Sequence, residues 1–320
     1  MASKKLNWGI LSTARINKSI LPVLDHSLRS TCLAVASRSS EQAQQYAAEW
    51  AIKRSYGSYD ELLADEDIDV IYNPLPNHLH ASWTVKALEA GKHVLSEKPM
   101  ALSLEEFDAI QDAVTQTGKT VTQCFMYRTQ PRTYKVLELI QNGEIGNVRF
   151  IRGSFNFTLD RPDDIRWSPD FGGGSLWDIG CYPVSYARMI TGCAPVEMDA
   201  YTKKTDKGID DSMIGMMRYP NDIWAQFDCS FSQPQFDQME VRGDKGSIQI
   251  PNPFHSTRPH QIFLLKGQNQ KRFRFKPRMS ALGTITDIEN AILTGSTPRL
   301  GLPECRDITQ TLAELARIAR

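Results

Sequence analysis

The residue types best suited to chemistry lie in one stretch, Gly172-Gly173-Gly174-Ser175-Leu176-Trp177-Asp178-Ile179-Gly180-Cys181-Tyr182. Three glycines let a backbone pass close to a ligand. A helix after them would place Asp178 and Tyr182, four apart, on one face. A carboxylate and a phenol so disposed can orient a hydroxyl group and exchange its proton. A free phenol titrates near 10, so base work at neutral pH needs a nearby cation. Lys98 is the candidate, because Pro99 keeps it out of helical backbone and holds it at the end of a strand. Plainer roles exist for the same residues: a helix-capping Asp178, a core Tyr182, a surface ion pair between Glu97 and Lys98.

A second constellation suits a nucleotide. Gly9-Ile10-Leu11-Ser12-Thr13-Ala14, followed by Arg15 and Ile16, reads as the turn between a strand and a helix, where backbone N–H groups can hold a pyrophosphate. Only Gly9 is glycine, so the turn alone could be a generic one. At the end of the next strand Ser37-Arg38-Ser39 stands where an acidic residue would bind a ribose hydroxyl. An arginine between two hydroxyls suits a 2′-phosphate, hence NADP rather than NAD, unless Arg38 is simply a solvated strand end. Asn73-Pro74-Leu75-Pro76-Asn77 and His78 form a strand-end loop expected beside the nicotinamide ribose, near Glu97 and Lys98. Arg128, Arg166 and Trp167 are candidate substrate-pocket residues, with scaffold ion pairs as the alternative for the arginines. His26, His93, His255 and His260 read as structural, and no Cys/His cluster has metal-ligand spacing.

These residues need rigid elements to position them. Up to residue 123, short apolar runs alternate with amphipathic stretches: strands at 6–11, 32–36, 52–56, 70–72, 93–96 and 120–123, helices at 14–28, from 40, 59–64, 78–90 and 103–117. Such alternation predicts a doubly wound parallel sheet of Rossmann type with right-handed crossovers. Beyond it come a helix at 131–141, a helix at 175–191, seven longer β-type runs between 148 and 265, and two closing helices. That half reads as an α+β domain with a large, mostly antiparallel sheet. The expected division is therefore 1–123 for the cofactor and 124–320 for substrate and subunit contact. Lys271-Arg272-Phe273-Arg274-Phe275-Lys276 could stack single-stranded nucleic acid, but the alternation suits an edge strand better.

Composition narrows the partners. The 320 residues carry 37 Lys+Arg against 37 Asp+Glu, so there is no global field for a polyanion or a membrane surface. Six scattered cysteines without a C-x-x-C pair suggest reduced thiols rather than a disulfide framework. The start, Met-Ala-Ser-Lys-Lys, has no apolar leader, and no run of about 18 apolar residues follows. A cytoplasmic protein is expected.

The chain resembles the Gfo/Idh/MocA oxidoreductases through Trp8-Gly9-Ile10-Leu11-Ser12, Ser55-Tyr56-Gly57-Ser58-Tyr59, Gly91 to Pro99 and Gly172 to Tyr182. Within them it is most similar to the branch of dimeric dihydrodiol dehydrogenase, NADP-dependent D-xylose 1-dehydrogenase and glucose-fructose oxidoreductase. Ser12, Tyr182, Gly208-Ile209-Asp210-Asp211-Ser212 and Gly243-Asp244-Lys245-Gly246 look like that branch. The resemblance implies that Lys98 and Tyr182 are a catalytic pair, that Asp178 positions substrate, and that the open face of the second sheet packs in a homodimer. The implied reaction is hydride transfer between NADP and a pyranose or related polyol. A trans-dihydrodiol, a keto-sugar of anhydrofructose type, or a non-catalytic NADP sensor are the alternatives, with Phe155, Phe157 and Trp167 bearing on the choice. Ala14 and Arg15 depart from the usual glycine and small residue of the turn. The long N-terminal arm and export signal of glucose-fructose oxidoreductase are not expected.

Overall fold

The computed structural model describes residues 5–254 and 260–320; the readings given to His255 and to residues 1–4 fall outside them. Two compact units emerge, Met1–Cys124 with Met279–Cys305, and Phe125–Arg278 with Arg306–Arg320. Met279–Cys305, which the sequence places in the second domain, thus clusters with the first.

In the first unit, β1 (Leu6–Leu11), β2 (Ser30–Ala36), β3 (Arg54–Tyr56), β4 (Val70–Asn73), β5 (His93–Glu97) and β6 (Val121–Cys124) form a sheet in the order β3-β2-β1-β4-β5-β6. Every pairing is parallel. The chain reverses its winding between β1 and β4, the switch point outside which such sheets bind ligands. Every residue of β4 and of β6 is buried, as strands covered on both faces must be. The connecting helices are α1 (Leu21–His26), α2 (Ser40–Glu49), α3 (Tyr59–Leu63), α4 (Asn77–Glu89) and α5 (Leu104–Thr117). Ser39, Ser58 and Ser103 cap α2, α3 and α5 by accepting from backbone N–H groups three residues on.

One expected element is split. Instead of a single helix over 14–28 there is a 3-10 turn, Arg15–Ser19, and then α1. Pro22 has no N–H to give a preceding turn, so the α-helix restarts around it. Buried Asn17 turns back and donates from Nδ2 to the Ser12 carbonyl at 2.9 Å, which fixes the turn that precedes it.

The returning segment explains its own membership. Glu289 on α8 (Leu282–Thr294) accepts from Ser27 Oγ at 2.8 Å and Arg29 Nη2 at 2.7 Å, and Thr122 Oγ1 donates to the Leu300 carbonyl at 3.0 Å.

The second unit is built on β7 (Val148–Thr158), β8 (Glu197–Lys204), β9 (Asp210–Tyr219), β10 (Ile223–Ser230), β11 (Ser232–Gly243), β12 (Ser247–Pro251), β13 (His260–Lys266) and β14 (Asn269–Phe275). Their order is β14-β13-β12-β11-β7-β10-β9-β8, antiparallel except where β7 meets β10. Lys271, Arg272 and Arg274 are exposed positions of the edge strand β14, with Phe273 and Phe275 half-buried. Helix α6 (Pro131–Gln141) precedes the sheet, and α7 (Cys181–Thr191) covers one face of it. The closing helix α9 (Leu302–Ile318) spans residues of both units.

The helix expected over 175–191 is helical throughout but not α throughout: Leu176–Gly180 forms a π-turn before α7. No propensity marks it. Gly180 sits against Cys229 and Phe227 of β10, where a Cβ would stand 2.9 Å from Cys229 Sγ. All six cysteines are free, and among the described residues no helix is long and apolar enough to cross a membrane.

Candidate active site

The site residues fall into two groups, one on each unit. In the first, Gly9 lies within β1, where a Cβ would stand 2.7 Å from Leu62 Cδ2, so a larger residue there would have to displace the Leu62 side chain. The turn itself is carried by Ser12. Its φ of 82° is a backbone conformation that side chains disfavour, and its Oγ is buried without a hydrogen-bond partner. Its N–H donates to the Ala36 carbonyl at 2.9 Å, joining the turn to the end of β2. Thr13 and Ala14 are partly exposed, and Arg15 and Ile16 are exposed. An unsatisfied buried hydroxyl in a strained turn at the switch point fits a pyrophosphate.

Ser37 and Arg38 follow β2. Ser37 is buried, its N–H donating to the Tyr56 carbonyl at 3.1 Å and its Oγ to Gln42 Oε1 at 3.3 Å, whereas Arg38 is exposed. An exposed guanidinium beside the N-terminus of α2 offers charge and N–H groups to a phosphate.

The loop after β4 is more scaffold than its sequence suggests. Asn73 is fully buried, Nδ2 donating to the His80 carbonyl at 3.0 Å and to Thr84 Oγ1 at 3.3 Å, and Oδ1 accepting from Leu75 N at 3.4 Å. Its side chain is spent on the loop, leaving the backbone of Pro74 and Leu75 and the partly exposed Asn77 and His78 at the edge. His80 bridges two loops, with ring nitrogens 2.6 Å from the Leu75 and Pro99 carbonyls.

Glu97 ends β5 and is buried. Tyr72 Oη donates to its Oε1 at 2.7 Å and the Lys98 N–H to its Oε2 at 3.3 Å. Burial pushes the Glu97 carboxyl above its usual range, against the pull of Tyr72 and of the Lys98 charge. Lys98 itself is partly exposed at the carboxyl edge of the sheet, and its bond to Pro99 is cis.

In the second unit the π-turn holds Asp178 and the first turn of α7 holds Tyr182. Asp178 accepts from Arg166 Nε at 2.7 Å, and Arg166 Nη1 also donates to Asp164 at 3.1 Å. The Asp178 charge, with that of Asp164, holds the Arg166 guanidinium above its usual range despite partial burial. Arg166 is therefore already neutralised, and its task is to fix the Asp178 carboxylate.

Tyr182 is half-buried inside a ring of aromatics: Phe254 at 5.1 Å between centroids, Phe155 at 5.2 Å, Phe125 at 5.4 Å and Tyr127 at 5.9 Å. Trp167 packs edge-on to Phe231 at 5.2 Å, and Phe157 lies 5.4 Å from the same ring. Arg128 is tied to α7, its Nη1 donating to Ser185 Oγ at 3.0 Å.

Sequence reasoning missed four contributors, Asp164 and the aromatics Phe125, Tyr127 and Phe254. Asp164 is an ordinary loop acid until Arg166 is placed beside it. Phe125, Tyr127 and Phe254 carry no spacing signal, since they reach Tyr182 from the chain before α6 and the segment after β12. Among the described residues no group of His, Cys, Asp and Glu could hold a metal ion.

Residues 6–125 match the model of an oxidoreductase family with an NAD-binding Rossmann fold, and residues 133–249 that of the GFO/IDH/MocA C-terminal domain. The chain is 36% identical over 310 residues to D-xylose 1-dehydrogenase (NADP(+)) 2 of Haloferax volcanii, covering 95% of this chain and 94% of the other. It is 31% identical over 279 residues to trans-1,2-dihydrobenzene-1,2-diol dehydrogenase of Xenopus tropicalis, covering 85% and 81%. Among solved structures, a 3-ketoreductase from Actinomadura kijaniata in complex with NADP and TDP-benzene superposes with a TM-score of 0.92 at 25% identity, covering 99% of this chain and 98% of that one. An aldose-aldose oxidoreductase from Caulobacter crescentus does so with a TM-score of 0.89 at 26% identity, covering 98% of each.

Proposed function

The chain belongs to the GFO/IDH/MocA oxidoreductase family, and from that premise we propose that it is an NADP-dependent dehydrogenase of pyranose sugars or related polyols. The observation that carries the reading is Tyr182, a half-buried phenol in an aromatic ring with a fixed carboxylate, Asp178, just upstream on the same helix. The Ser12 turn, Ser37 and Arg38 would hold the pyrophosphate and 2′-phosphate, and Pro74, Leu75, Asn77 and His78 would border the nicotinamide ribose. When bound, NADP supplies the acceptor for a hydride. Tyr182 Oη takes the proton of the anomeric hydroxyl as hydride leaves the same carbon, so an alcohol becomes a lactone carbonyl; in reverse, Tyr182 protonates a reduced carbonyl. Lys98 stabilises the phenolate that Tyr182 needs to act as a base, and Asp178 orients the substrate hydroxyls. Because Arg166 is already paired with two carboxylates, the site suits a neutral substrate rather than an anionic one.

A second reading, a trans-dihydrodiol as substrate, is favoured by the apolar walls of Phe155 and Phe254. NADP reduction measured across aldoses, inositols and dihydrodiols separates the two. Within whichever class is turned over, Tyr182→Phe is expected to lower kcat by a factor on the order of 10² or more. Turnover near that of the parent protein would remove Tyr182 from the reaction. For location and assembly we adopt the cytoplasm and a homodimer, the latter supported by Ile214, Met216 and Trp224, large apolar side chains exposed on the open face of the eight-stranded sheet.

A further inference from the structure

The helix that carries Asp178 and Tyr182 starts on a residue from elsewhere in the chain. Asp210, the first residue of β9, places its carboxylate at that start. Its Oδ2 accepts from Ser175 Oγ at 2.7 Å and from the Leu176 N–H at 2.6 Å. Burial raises the Asp210 carboxyl above its usual range, and these donors act to hold it ionised. The backbone is shaped around it: Gly174 has a φ of 115°, and a Cβ there would stand 2.0 Å from Asp210 Oδ1. Gly173 is equally confined, since its Cβ would stand 2.3 Å from the carbonyl oxygen of Arg166, the residue that holds Asp178.

From this start Leu176–Gly180 winds as a π-turn rather than an α-turn. A π-turn is uncommon because its i→i+5 hydrogen bonds replace the more favourable α pattern. It persists when its surroundings over-determine it. Here Gly180 is seated on β10 at one end and Asp210 holds Ser175 and Leu176 at the other. Relaxation to α geometry would rotate residues 176–180 relative to α7, and so Asp178 relative to Tyr182.

We propose that Asp210 is a positioning residue for the reaction, fixing the π-turn and through it the relative placement of the Asp178 carboxylate and the Tyr182 hydroxyl. The proposal rests on the role given to Tyr182 above. It is tested with Asp210→Ala, Asp210→Asn and Tyr182→Phe, using the substrate that the panel identifies, deuterated at the reacting carbon. Asp210→Ala is expected to lower kcat about 10- to 100-fold, to change KM for the substrate, and to raise the deuterium isotope effect as the hydride step becomes slower. Affinity for NADP should stay within about twofold. Asp210→Asn keeps one acceptor oxygen but loses the charge, so it should recover most of the loss while leaving kcat a few-fold below the parent with a raised isotope effect; that residual defect decides the matter if the alanine variant does not fold. A kcat that falls only in step with the titrated number of NADP sites, with KM and isotope effect unmoved, would reduce Asp210 to a stabilising residue and overturn the proposal, as would no change at all. Full activity in Tyr182→Phe would instead defeat the reading beneath it, whatever Asp210 does.

Discussion

At the scale of single residues, the proposed cofactor contacts rest on a few groups left unspent. Arg38 is exposed at the end of β2 beside a capped helix N-terminus, while its neighbour Ser37 is buried and anchored. A charge-assisted hydrogen bond to phosphate contributes about 1.5–3 kcal/mol, so Arg38→Ala should lower kcat/KM with NADP roughly 10- to 100-fold and leave NAD nearly unaffected. An unchanged ratio between the two cofactors would show that Arg38 does not read the 2′-phosphate. The contrast with Asn73 is instructive. Both lie at a strand end and both looked available in the sequence. Only burial and partners distinguish them: Asn73 donates twice to α4 and its side chain is committed there. Residue type and spacing singled out Lys98, Asp178 and Tyr182 as candidates, with a cap, a core phenol and a surface ion pair as the plainer readings. They could not announce that Arg166 is committed to Asp178, which depends on a contact twelve residues apart.

Elements show the same division. The parallel strands were legible because short apolar-rich runs bounded by serine caps and terminal glycines have few other readings. The π-turn was not, because its cause lies in Gly180 against β10 and Asp210 at the other end rather than in local propensity. The helix expected over 14–28 failed for a local reason, Pro22, whose effect the apolar spacing of its neighbours concealed. Pairing between elements also carries a pH dependence. His93 opens β5, and its Nδ1 accepts from the Thr120 N–H at 2.9 Å, tying β5 to the lead into β6. Burial, with the Lys119 charge, pushes its imidazole from 6.5 down to about 4. The folded form therefore keeps His93 neutral while the unfolded chain takes up a proton. Stability should fall as pH drops from about 6.5 to about 4 and change no further below that, with at most about 3 kcal/mol from this group. In His93→Gln, denaturant unfolding measured across the window should show a flatter acid limb; an identical limb would exclude His93 as its source.

For the whole molecule, the eight-stranded sheet has one face under α7 and one face exposed. Tyr201, Ile214, Met216 and Trp224 on the exposed face retain 59%, 51%, 51% and 42% of their accessible surface. Cross-strand pairing sets Tyr201 beside Ile214, and large apolar side chains left exposed side by side mark a face suited to a partner. A second copy of the chain is the proposed cover. The parent protein should sediment as a dimer and Ile214→Lys/Met216→Lys as a monomer; a monomeric parent would refute it.

The first unit is not contiguous in sequence, since Met279–Cys305 completes it. This bears on synthesis. A nascent chain that has just left the ribosome at Cys124 carries all six parallel strands but lacks α8, so Ser27 and Arg29 have no Glu289 to engage. At about 5–20 residues per second, on the order of 10–40 s pass before that helix emerges. During this time the parallel sheet is strand-complete while Ser27, Arg29 and Thr122 lack the partners that residues 279–305 supply, so a gene fragment ending there would encode an unfinished unit.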